Sequence, residues 1–130
     1  MLFRSILDWN KNFFPLEYSP QYLAQVQAES VKPEDYQNII NQKGLVFIDF
    51  FANWCAPCKE MAPMIEELKV EYEGKVKICK INSEFSKELL QYASVTSVPY
   101  LLLFKDGKMI FSKNASVTKE ELKALFDQNL

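Results

Sequence analysis

The stretch from Leu45 to Cys58, LVFIDFFANWCAPC, decides the reading of this chain. Residues 45–51 are apolar apart from Asp49, the pattern of a strand buried on both faces. After Ala52, Asn53 and Trp54 comes Cys55-Ala56-Pro57-Cys58, and a helix is predicted over 58–73, closed by Gly74. A C-x-x-C pair suits either half a zinc site or a redox couple. Zinc wants four ligands, and the chain offers one further thiol, Cys79, and no histidine. Redox chemistry fits better. Cys55 is expected at the start of the helix, where free N–H groups and the dipole stabilise a thiolate. Such placement can lower a thiol pKa from about 8.5 into roughly 3.5–7.5. Cys58, one turn inside, is expected within disulfide reach and more covered. Cys55 is therefore assigned the attack on a substrate disulfide, and Cys58 the resolution of the mixed disulfide.

Working outward, Asp49 stands out because a lone buried carboxylate needs a partner or a raised pKa. The stretch KVKICKI, residues 75–81, reads as a second buried strand, with Val76, Ile78 and Lys80 alternating on one face. If the two strands are neighbours, Asp49 and Lys80 can pair beneath the helix that carries Cys58. The pair is either a structural ion pair or a proton acceptor for Cys58, in a chain with no histidine for that task. Ser97-Val98-Pro99-Tyr100 precedes the strand YLLLF, residues 100–104. Proline is tolerated at a strand's first residue. A cis Val98–Pro99 bond would instead expose backbone groups beside the cysteines. Cys79, mid-strand with Ile81 on its own face, reads as an inert buried thiol.

The rest of the chain alternates. A strand is predicted over 22–30, a helix from Pro33 to Gln42, a helix around 84–93, and a strand MIFS over 109–112 after the turn Lys105-Asp106-Gly107-Lys108. A final helix opens on the capping box Thr118-x-x-Glu121, with Leu122, Leu125 and Phe126 as its apolar stripe. The order β-α-β-α-β-α-β-β-α describes one α/β domain over 21–130 behind an extension over 1–20. In that extension Leu2, Phe3, Ile6, Leu7, Trp9, Phe13 and Phe14 share one helical face ahead of Pro15. The face either packs on the domain or binds a partner; a membrane-surface role is the weaker reading, because only Arg4 and Lys11 are basic there.

The 130 residues suit a single domain. A net charge of −2 with Arg4 as the one arginine argues against nucleic-acid recognition. Three scattered glycines exclude a phosphate-cradling loop. No secretory signal pattern opens the chain, so a cytoplasmic location is expected, or export if the numbered chain is a trimmed one.

Together IDFFANWCAPCKEMAPMIEEL, KICKIN, TSVPYLLLFKDGK and TKEELKALFDQNL resemble the thioredoxin family over roughly residues 30–130. Pro99 lies 41 residues after Cys58, a spacing shared with that family. The resemblance implies a central mixed β-sheet flanked by helices and the reduction of protein disulfides without a bound cofactor or metal. It implies an active-site loop of Trp54, Cys55, Ala56, Pro57 and Cys58, a buried pair of Asp49 and Lys80, a cis-proline at Pro99 and a helix kink at Pro63. Implied partners are protein disulfides and a thioredoxin reductase or other dithiol donor, with the protein acting as a monomer. The alternative is a partner-binding module, or a dedicated redox assembly factor, recruited through the aromatic extension. Several positions depart from the family pattern. Ala56 and Ala115 stand where glycine is usual, Phe51 where tryptophan is, and Tyr100 where threonine is. Val98, Pro99, Tyr100 and Ala115 are expected on the docking surface. No histidine separates the cysteines, which disfavours the oxidase and isomerase branches.

Overall fold

Residues 45–51 occupy the middle of the sheet, as a run apolar apart from Asp49 leads one to expect. The structure is a computed structural model describing residues 30–130. Its strands are β1 (Leu45–Phe51), β2 (Val76–Asn82), β3 (Tyr100–Lys105) and β4 (Lys108–Lys113), in the order β2-β1-β3-β4. β1 runs parallel to β2 and antiparallel to β3, and β3 is antiparallel to β4. The helices are α1 (Pro33–Ile40), α2 (Ala56–Glu71), α3 (Lys87–Ala93) and α4 (Lys119–Asn129). This is the expected mixed sheet flanked by helices. The strand predicted over 22–30, all but Ser30, and the amphipathic extension lie outside the described residues.

Alternation along β1 divides the core. Leu45 and Phe47 face one way, into a cluster with Met61, Ile65 and Leu68 of α2 and Leu122 and Phe126 of α4. Val46, Ile48 and Phe50 face the other way, against Tyr36 and Ile40 of α1 and Leu89 of α3. Asp49 shares the parity of Leu45 and Phe47, which puts it on the face covered by α2. Aromatic edges fill the first cluster, with the Phe47 and Phe126 ring centroids 5.5 Å apart and T-shaped.

Element ends follow their local chemistry. Helix α2 begins two residues earlier than predicted because Cys55 itself serves as its N-cap. It stops at Glu71, and Gly74 takes φ +81° in the turn that follows. The helix predicted around 84–93 is two pieces, a 3₁₀ turn at Ser83–Phe85 and then α3. The break falls at buried Ser86, whose Oγ accepts the Val31 N–H at 3.0 Å. In the β3–β4 hairpin Asp106 and Gly107 both have positive φ, the type I′ geometry expected of that turn. Thr118 and Glu121 form the predicted capping box, each side chain accepting the other's backbone N–H at 3.1 Å.

Candidate active site

The site lies where β1 ends. The chain turns through Ala52, Asn53 and Trp54, and the Cys55 N–H donates to Ala52 O at 3.2 Å. This places Cys55 at the N-cap of α2, in extended backbone conformation. Its Sγ accepts the Cys58 N–H at 3.2 Å. A cap residue normally offers an oxygen here; in this chain the acceptor is sulfur. Pro57 sits in the first turn, where a missing N–H forfeits nothing. Pro63, further on, lies inside the helix.

Cys55 and Cys58 are joined as a disulfide, with their Cα atoms 5.3 Å apart. The expectation that Cys58 is the more covered of the two is not met, since both are buried, at 4% and 6% exposed. Turning back to meet the Cys58 N–H draws Cys55 into a small apolar cluster with Ala52, Cys58, Phe51 and Val98. Trp54 beside them is 71% exposed, and Ala56 and Pro57 are exposed too.

Asp49 is 3% exposed, and its Oδ1 is the one buried side-chain polar atom among the described residues without a hydrogen-bond partner. Burial raises its pKa from 3.8 to about 6, with the positive charge of Lys80 opposing the rise. The register sets Asp49 opposite Lys80, as the strand pattern predicted. The two do not close an ion pair, however. Lys80 Nζ lies instead 4.8 Å from the centroid of the Phe51 ring, a cation–π placement.

The Val98–Pro99 peptide is cis, and Val98 packs against the cysteines. Pro99 is buried. Tyr100 turns to the opposite sheet face, its ring centroid 6.4 Å from that of Phe50. Ala115 is exposed, one residue beyond Asn114. Sequence reasoning missed Asn114, whose side chain reaches Ser97 and Pro99. Cys79 is a free thiol, half-buried beside the α1–α3 cluster, and burial pushes its pKa up. Among the described residues no three His, Cys, Asp or Glu side chains gather as metal ligands would, and no helix is long and apolar enough to cross a membrane.

Comparison with known proteins agrees with this geometry. The thioredoxin family model matches residues 27–128. A thioredoxin of Pseudomonas aeruginosa is 36% identical over 94 residues, covering 72% of this chain and 87% of the relative. Thioredoxin C-2 of Corynebacterium nephridii is 38% identical over 98 residues, covering 75% and 91%. A thioredoxin of Buchnera aphidicola is 38% identical over 94 residues, covering 72% and 87%. With its cysteine pair at a helix start and relatives matched over most of their length, this chain belongs to the thioredoxin family of thiol–disulfide oxidoreductases.

Proposed function

We propose that the chain works as a protein-disulfide reductase in which Cys55 attacks, Cys58 resolves and Asp49 takes the proton. The reduced Cys55 thiolate attacks one sulfur of a substrate disulfide, and the other substrate sulfur leaves as a thiolate that picks up a proton. The Cys58 thiol passes its proton to the Asp49 carboxylate, and its thiolate attacks Cys55 Sγ. That step releases the second substrate sulfur, which takes up a proton in turn. The substrate has gained two electrons and two protons, and the protein holds the Cys55–Cys58 disulfide. A thioredoxin reductase or another dithiol donor returns the electrons, and the cytoplasm, where thiols are kept reduced, is the compartment we assign.

The observation that carries this reading is Cys55 Sγ at the N-cap of α2, accepting the Cys58 N–H at 3.2 Å. The same N–H and the helix dipole are aimed at the sulfur that must ionise first. Asp49, buried on the face that α2 covers and raised to about pH 6, has the affinity to hold a proton transiently near neutrality. Trapping tests the division of labour. Cys58→Ser is expected to accumulate mixed disulfides with substrate through Cys55, and Cys55→Ser none. Trapping by Cys55→Ser alone would reverse the assigned roles, and equal trapping by both variants would abolish the distinction.

A further inference from the structure

The β3–β4 hairpin contains an irregularity that bears on the active-site loop. Lys105 pairs with Lys108 and Phe104 with Met109, but Leu103 pairs with Phe111, leaving Ile110 as an extra residue. The ladder then runs Leu102 with Ser112 and Leu101 with Lys113. By the same progression Asn114 comes level with Tyr100, where the ladder stops and the segment Ser97–Pro99 begins. Without the bulge, Lys113 would hold that place.

Asn114 uses its whole amide on that segment. Its Nδ2 donates to Pro99 O at 2.9 Å and to Ser97 O at 3.3 Å. Its Oδ1 accepts the Ser97 hydroxyl at 2.7 Å. These bonds bracket Val98, the residue of the segment that packs on Ala52, Cys55 and Cys58. A side-chain amide thereby supplies the hold that another pair of strand residues would otherwise give.

We propose that Asn114 is a positioning residue for substrate docking. By tying the carbonyls on both sides of Val98 to the end of β4, it fixes Val98 against the cysteines and sets the fit of a substrate polypeptide segment running over Cys55. The inference rests on the reductase reading above and deepens it, because it assigns to Asn114 the recognition of polypeptide disulfides. Asn114 touches none of the reacting atoms. Its effect passes through Val98.

Steady-state reduction of insulin, with dithiothreitol as electron donor, tests the assignment. Losing hydrogen bonds that hold a binding surface should raise KM by about tenfold in Asn114→Ala, with kcat changed less than about twofold. Asn114→Asp keeps the acceptor for the Ser97 hydroxyl and loses both donated bonds, so its KM should rise nearly as far as in the alanine variant. Ser97→Ala removes one of the three bonds and should raise KM by less. An unchanged KM in Asn114→Ala overturns the proposal, as does a fall in kcat and thermal midpoint with KM unaltered, the mark of a merely structural role. Wild-type protein inactive on insulin would overturn the reductase reading and the positioning role together, whereas active wild type with an indifferent Asn114→Ala overturns the positioning role alone.

Discussion

Asp49 shows most directly how one residue couples fold and chemistry. Its pKa is raised from 3.8 to about 6, first by burial, with Lys80 acting in the opposite sense. The folded state therefore binds more protons than the unfolded chain between those values. Stability falls as pH rises through that window, because ionising a buried carboxylate costs free energy. The full cost above pH 6 is about 3 kcal/mol at most, from a shift of about two units. Asp49→Asn removes the charge, so its stability relative to wild type should improve by that order between pH 4 and pH 8. Urea titrations at both pH values check this, and a pH-independent difference would mean that Asp49 is not buried as a titrating acid. The comparison across pH is the informative quantity, since asparagine brings its own unsatisfied amide to the site. In rapid-mixing experiments the same variant should slow resolution of the mixed disulfide more than the initial attack.

At the scale of elements, the sequence reading succeeded where one local signal dominates. The run Leu45–Phe51, the Asp106-Gly107 turn and the Thr118 capping box each sit where predicted. It slipped where an end depends on a distant partner or on an unusual cap. Nothing local to Ser86 announces that its hydroxyl will hold Val31, 55 residues away, and so divide a helix. A sulfur at the N-cap of α2 is equally hard to foresee from oxygen-based capping rules, although it is what centres the active site. Asn114 stayed hidden for a third reason, because counting residues back from the turn places Lys113 opposite Tyr100 unless the bulge is known. That Asp49 and Lys80 could meet was legible from alternation on the condition that their strands are neighbours, whereas the placement of Lys80 over the Phe51 ring was not. The capping box also yields a quantitative expectation. Thr118→Ala leaves the Glu121 N–H without its acceptor and should destabilise the protein by about 1 kcal/mol. Thermal unfolding should show a drop of roughly 3–5 °C, and Thr118→Ser should recover most of it. No change in midpoint would show that α4 is held by Leu122 and Phe126 alone.

For the molecule as a whole, the question is how the extension relates to the domain. The residues assigned to the chemistry and to docking, from Asp49 to Ala115, lie within the 27–128 span matched by the family model. Disulfide reduction should therefore survive without residues 1–19. Stability is another matter. The helix that the sequence predicts there would put Leu2, Phe3, Ile6, Leu7, Trp9, Phe13 and Phe14 on one face, and apolar surface of that size gains free energy by burial. Each such side chain contributes about 1.5–3 kcal/mol when fully covered, set against the entropy of ordering the segment. A face that packs on its own domain should leave a net contribution of about 2 kcal/mol or more. Deleting residues 1–19 is accordingly expected to lower the thermal midpoint by roughly 5–10 °C while leaving the insulin-reduction rate within about twofold of wild type. An unchanged midpoint would assign the apolar face to a partner instead, and the aromatic residues would then govern where the reductase works rather than how well it folds.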